Sequence, residues 1–355
     1  MQRESSIDLI KFFLSIVIVF YHFGLVVQGG YLAVEGFFMI SGYLMMRSMY
    51  RADREETLRS DATVRFVWHK YSAIFLPLLF SAIFGFLIYE CLIFARAPRQ
   101  ILKNIPLLLF EIFPLQVAGF GGYCATGVSW YLSALFLCSA LLHPFAKRDP
   151  ERFSLTACPL IALLGYGLLC VQFSHLDAPC EWMLGLVCSG LVRGLAGICA
   201  GCLLYTFVAR SKNRPAPSIT ARALFTCLEV LGWGFVLVCM IYKPYLRTSM
   251  DFVAVAALFG VLYIALSQRS LFSLVIHHKW TGVLTQISMY AFLNHYAWNQ
   301  YVIRRFSEKT LVQILPWYLL GVAVFSALAW SLTHITRYSL GHITRARQRR
   351  TPTAS

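Results

Sequence analysis

From about residue 7 to residue 336 the chain is a succession of apolar runs near 18 residues or longer, separated by short polar stretches. A helix rises about 1.5 Å per residue, so roughly 20 such residues cross the hydrocarbon core of a bilayer. In lipid each backbone polar group must be satisfied within its own segment, which favours helices. Composition agrees: 58% of the 355 residues are hydrophobic and 13% charged, outside the range of soluble domains. The chain is expected to be an all-α polytopic integral membrane protein. Its first run, 7–27, is too long for a secretory signal core, carries Asp8 and Lys11, and lacks a small-residue cleavage pattern after it. It is read as a retained helix.

Basic residues sign the loops. Arg47, Arg51, Arg54, Arg59, Arg65 and Lys70 crowd one stretch, whereas the turn Gln28–Gly30 has no charge, so the first is expected inside and the second outside. Lys147, Arg148 and Arg152, then Arg210, Lys212, Arg214 and Arg222, then Arg269 and Lys279, then Arg337 to Arg350 all fall inside if the chain has ten spans. These are 7–27, 31–49, 73–93, 129–145, 155–173, 183–208, 223–242, 251–267, 281–302 and 312–336. Residues 101–118, interrupted by Pro106, Glu111 and Pro114, are read as a re-entrant or interfacial piece, because counting them as a span would invert every later loop. Residues 1–337 then form the transmembrane domain and 338–355 a short basic cytoplasmic tail, with both termini cytoplasmic.

The same rule accounts for the net charge of +15, so nucleic acid is not an expected partner; the lipid bilayer is. Eleven cysteines lie mostly within apolar runs and show no zinc-type pairing, so no metal is expected. Cys199 and Cys202 form a CxxC inside a span, where small-residue packing is the simpler reading. Cys124 and Cys180 are the two expected outside, where a disulfide between them is open.

Ionisable groups in hydrocarbon are costly and mark candidate sites. In the first span Asp8, Lys11, Ser15 and His22 fall within about 60° of one another at 3.6 residues per turn, a single polar stripe. Two readings fit it: a face lining a cavity, or Lys11 snorkelling to headgroups with Asp8 paired to it and His22 packing between helices. Glu35 lies five residues past Gly30 and His22 seven before Gly29, so both are expected in the outer half of adjacent antiparallel helices. A carboxylate beside an imidazole fixes its tautomer and raises its basicity, the arrangement of a general base, although a buried His–Glu pair can also be purely structural. Asn294, His295 and Asn299 fall at the same level in the ninth span; Ser129 and Trp130 open the fourth, where a Trp also serves as an interfacial anchor. Arg193, near the middle of the sixth span, needs a carboxylate or anionic ligand nearby. On the inner side Lys11, Arg65, His69 and Lys70 either bind phosphates or merely carry the positive-inside signal.

The segment GYLAVEGFFMISGY at Gly30 to Tyr43 resembles the second-helix signature of the type-3 membrane-bound acyltransferases, which acylate surface polysaccharides, peptidoglycan and related acceptors. That family's first-helix arginine, ten residues and histidine are matched in spacing by Lys11 and His22, with Lys in place of Arg. SWYLSALF at Ser129 to Phe136, RGLAGICAG at Arg193 to Gly201 and SMYAFLNH at Ser288 to His295 are similar to further family elements; the family's Arg-x-x-Arg before the third helix is reduced here to Lys70.

The resemblance implies a membrane acyltransferase of the polysaccharide O-acetyltransferase type in a bacterial-type cytoplasmic (inner) membrane. It would move an acyl group, most often acetyl, from cytoplasmic acetyl-CoA or another acyl-CoA to a hydroxyl of an extracytoplasmic or lipid-linked carbohydrate. His22 would act as general base or transient acyl carrier and Glu35 would orient it; Lys11, Arg65, His69 and Lys70 would hold the co-substrate, and Ser129, Trp130, Arg193, Asn294 and His295 the acceptor side. Alternatives are succinyl transfer, a transporter or flippase for an anionic or lipid-linked glycan, and delivery of the acyl group to a separate extracytoplasmic transferase. The absence of an inverted repeat leans against transport.

Overall fold

The computed structural model describes residues 5–120, 125–275 and 280–350, the last eight as helical backbone only. Ten long helices run through these residues: α1 (Ser5–Phe23), α2 (Ala33–Arg51), α3 (Ala62–Leu87), α4 (Ser129–Ala146), α5 (Cys158–Phe173), α6 (Ser189–Lys212), α7 (Ile219–Ile241), α8 (Met250–Ser267), α9 (Thr281–Arg305) and α10 (Leu311–Arg350). Among the described residues, sheet is confined to one small hairpin pairing Trp182–Met183 with Val187–Cys188. The chain is an all-α polytopic membrane protein.

Among the described residues, eight stretches are long and apolar enough to cross a membrane: α1, α3 with its continuation to Ile93, α4, α5 with the turn from Pro150, α6, α7, α8, and α10 as far as His342. The expected second and ninth spans, α2 and α9, are absent from that set. They carry Glu35, Arg47 and Arg51, and Asn294, His295, Asn299, Arg304 and Arg305. Glu35, Asn294, His295 and Asn299 are buried, so protein rather than lipid faces them, whereas Arg51, Arg304 and Arg305 are exposed at the helix ends.

Contacts show how the bundle is ordered. Asp8 of α1 meets Thr285 of α9, and farther along His22 meets His295, so these helices run parallel. Helices α2 and α6 are likewise parallel, with Glu35 beside Arg193 and Gly42 against Ile198 and Cys202. The basic loops interlock at one end: Arg54 donates to the carbonyls of Lys147 and Arg148, Arg210 pairs with Glu151, and Arg269 reaches the Ser211 carbonyl.

Residues 101–118 do not form a through-going helix. They break into short turns, Pro98–Asn104, Ile105–Leu107, Leu108–Ile112 and Gln116–Ala118, because Pro106 and Pro114 cannot continue a hydrogen-bonded helix. Two buried carboxylates tether this region. Glu90 accepts from Arg96 at 2.9 Å and Asn104 at 2.9 Å, and Glu111 accepts from Ala125 N at 2.8 Å and Thr126 Oγ1 at 2.7 Å.

Several boundaries differ from expectation. Helix α3 begins at Ala62 rather than near 73, since its first turns are helical although too polar to read as a span. The hairpin Trp182–Cys188 replaces the expected start of the sixth span. The helix of the last span continues through 338–350 to Arg350. Cys124 and Lys279 lie outside the described residues.

The α2–α6 contact depends on glycine. A Cβ on Gly42 would overlap the Ile198 carbonyl, and one on Gly201 would overlap that of Met39. Close backbone approach of this kind is how helices pack in lipid. Gly42→Ala is expected to destabilise the protein by about 1–3 kcal/mol through overpacking. Thermal unfolding in detergent should show the loss, while Gly167→Ala, with nothing within 4 Å of the added carbon, should unfold like the parent.

Candidate active site

At the end of the bundle opposite the interlocked basic loops, the last turn of α1 and the first of α2 are joined by 24–32, whose Gly29 N–H donates to the Met240 carbonyl at 2.7 Å. This anchorage sets His22, Tyr31 and Glu35 side by side with α4, α6 and α9. Between them lies a cavity of about 70 Å³, lined by His22, Tyr21, Tyr31, Trp130, Tyr131 and Arg193 among others. Gly127 also lines it, at φ +67, a conformation that favours glycine; a Cβ there would overlap the Tyr296 ring.

His22 stands among aromatic rings. Its ring centre is 4.8 Å from Tyr21, 5.1 Å from His295 and 5.1 Å from Tyr296. His295 is fully buried, its Nδ1 lies 2.8 Å from the Phe292 carbonyl, and among the described residues its Nε2 has no hydrogen-bond partner. A carbonyl only accepts, so that contact puts the proton on Nδ1 and leaves Nε2 as the basic nitrogen. Asn299 donates to the His22 carbonyl and fixes the helix end.

The expected His22–Glu35 pair is replaced by a different one. Glu35 is wholly buried, with one carboxylate oxygen taken by Arg193 Nε and the other by the Tyr166 hydroxyl. Arg193 also donates to the Leu176 carbonyl at 2.8 Å and the Tyr31 carbonyl at 2.6 Å, and its guanidinium lies 5.5 Å from the Trp130 ring centre. The carboxylate that a buried arginine requires is thus Glu35; because α6 starts at Ser189, Arg193 lies in its second turn and not near the middle of a span as expected. Glu35 pairs with Arg193, which lines the cavity, and His22 is flanked by His295 instead.

Sequence reasoning passed over a polar rim. Tyr21 donates to Asp177 at 2.8 Å, and Arg247 pairs with the same carboxylate at 2.8 Å. Tyr31 donates to Asp251 at 2.9 Å, while Leu176 N donates to the other Asp251 oxygen at 2.8 Å. The available signal was acidic residues, Asp177 and Asp251, in or beside loops without a basic cluster. Tyr166 gave none, being one aromatic in an apolar run.

The remaining predicted residues divide. Trp130 and Arg193 line the cavity, and His295 stands behind His22. Ser129 is turned to Glu111, 3.4 Å away, and Asn294 bonds the Tyr290 carbonyl of its own helix at 2.9 Å, so neither lines the cavity. At the basic end, Lys70 lies 3.5 Å from the Ser139 hydroxyl and 4.8 Å from the Phe66 ring centre, near enough to Lys11 for their charges to act on one another. Arg65 is not with them: it is exposed, 3.4 Å from Asp61 and 3.9 Å from Glu56. His69 is exposed as well.

The arrangement is a small partly aromatic chamber with one imidazole at its wall, a second imidazole behind it and a buried cation opposite. It can accept a proton from a hydroxyl and stabilise developing negative charge. No curated protein and no solved structure matches the chain. The family model Acyl_transf_3, described as an acyltransferase domain, matches residues 4–335. Nearly the whole chain is covered, so the protein belongs to this family of membrane acyltransferases and is an enzyme that transfers acyl groups.

Proposed function

We propose that the protein transfers an acyl group, most often acetyl, from acyl-CoA on the cytoplasmic side of a bacterial-type inner membrane to a hydroxyl of an extracytoplasmic or lipid-linked carbohydrate. The observation that carries this reading is the cavity holding His22 and Arg193 at the end of a polar stripe whose other end, Asp8 and Lys11, lies toward the basic loops. From Lys11 to His22 the rise is roughly 16 Å, within reach of a pantetheine arm. Both termini are cytoplasmic in this scheme.

His22 removes the proton of the acceptor hydroxyl as its oxygen attacks the thioester carbonyl; the C–O bond forms, the C–S bond breaks, and the departing thiolate takes the proton from the imidazolium. An alternative order passes the acyl group briefly through the His22 ring. His295 packs behind His22 and restricts its orientation. Arg193, held by Glu35, Tyr31 and Leu176, sets the wall that faces the developing oxyanion. Lys11 and Lys70 supply positive charge for the donor phosphates; a Lys offers a point charge where the family's Arg offers a fork.

Sided proteoliposomes test the reading. With labelled acetyl-CoA enclosed on the side of the basic loops and a hydroxylated glycan acceptor outside, label should appear on the acceptor. Proton-coupled movement of glycan without any acylated product would overturn it.

A further inference from the structure

A second, larger cavity of about 530 Å³ lies between α1, α7, α8 and the turn after α8. Its walls include Leu9, Phe13, Trp233 and Leu237. The neighbouring surface of α7 is hydrocarbon-facing, with Leu224, Leu228 and Leu231 exposed. On α1 the residues lining it, such as Leu9, Phe13 and Ile16, lie on the side away from the stripe that leads to His22, so it is no part of the acyl-transfer chamber.

Glu229 is set into this groove. It is 5% exposed, Ser270 lies against its carboxyl, and among the described residues its Oε2 has no hydrogen-bond partner. A buried carboxyl oxygen left in that state costs free energy unless a ligand completes it. Arg222 lies seven residues earlier on the same helix, about 10 Å nearer the basic end. Its Nη1 reaches the carbonyls of Gln268 and Ser270, each at 3.3 Å, and Ser273 Oγ at 3.4 Å; among the described residues these guanidinium hydrogen bonds all run through that one nitrogen. Ser270 and Ser273 both line the groove.

We propose that this groove is a binding site for an anionic glycerophospholipid of the adjoining leaflet. The phosphate meets Arg222 at the rim, the glycerol-ester carbonyls lie deeper beside Ser270 and Ser273, where the Glu229 carboxyl in its protonated form donates its Oε2–H to one of them, and an acyl chain follows Leu9, Phe13 and Trp233. The order of groups matches a lipid's own: a cation at headgroup depth, polar groups one level down, and an apolar trough beyond. The site is independent of the catalytic reading.

The full chain, purified in mild detergent from vesicles of equal phosphatidylglycerol and phosphatidylcholine, should by native mass spectrometry retain one phosphatidylglycerol in preference to phosphatidylcholine. Ala265→Phe, which fills the groove, and Arg222→Gln should each cut that retention at least fivefold, and Glu229→Leu should cut it severalfold. Equal retention of the two lipids, or parental retention in the groove-filling variant, would overturn the proposal. If Arg222→Gln yields no folded protein, Ala265→Phe and Glu229→Leu decide it alone.

Discussion

His22→Ala is expected to lower acyl transfer by about 10²- to 10⁴-fold, the range lost with a positioned general base. Expression and thermal unfolding should stay close to the parent, because His22 is only partly buried and its side chain borders a cavity. The space vacated by the ring adjoins the cavity, so added imidazole should restore part of the rate. Rescue by imidazole separates lost chemistry from lost packing, which a small diffusible base cannot repair. If His22 also carries the acyl group, acid quench of the parent during turnover should leave an acylated His22 peptide detectable by mass spectrometry. Parental activity in His22→Ala would remove this residue from the reaction and with it the proposed scheme. His295→Ala should be milder, since that ring positions His22 without lining the cavity.

The second large effect concerns Glu35 and Arg193. Breaking a buried pair strands the remaining charge in low dielectric, so Glu35→Gln and Arg193→Met should each destabilise the protein by about 3–5 kcal/mol. The double variant should cost less than the sum of the two, because it leaves no uncompensated charge. Unfolding in detergent, followed as a double-mutant cycle, measures the coupling. Additive losses would show that the pair does not act as a unit. This result also separates two roles for Glu35: a carboxylate serving only to orient His22 would lower turnover on removal and leave stability nearly unchanged.

The architecture was largely legible in the residues. The length of each apolar run is imposed by the bilayer, and the breaks at Pro106 and Pro114 are local backbone chemistry. Helices α2 and α9 are the instructive exceptions: each is long and helical but is not apolar enough to count as a crossing, because burial among other helices relieves the requirement that lipid-facing residues be apolar. The stripe on α1 was legible from its 3.6-residue period, and the contact of Asp8 with Thr285 shows it facing α9.

The site was legible in part. His22, Trp130 and Arg193 all border the cavity, and Arg193 has the carboxylate its burial demands. Grouping Lys11, Arg65, His69 and Lys70 counted charge without direction. At 100° per residue Lys70 stands about 140° around the helix from Arg65, while Arg65 and His69 share a side. The exposed pair therefore stands apart from Lys70 and Lys11.

What the sequence determined by itself is the part governed by local rules: helical segments long enough for a membrane, their interruptions, and the face of α1 that shuns lipid. Only the tertiary structure decided which groups meet. Glu35 and Arg193 are separated by 158 positions, and their pairing follows from the close approach of α2 and α6 at Gly42 and Gly201. Hydrocarbon enforces hydrogen bonding and apolarity segment by segment, whereas the partner of a buried charge is set by which helices lie side by side and how closely their backbones can approach.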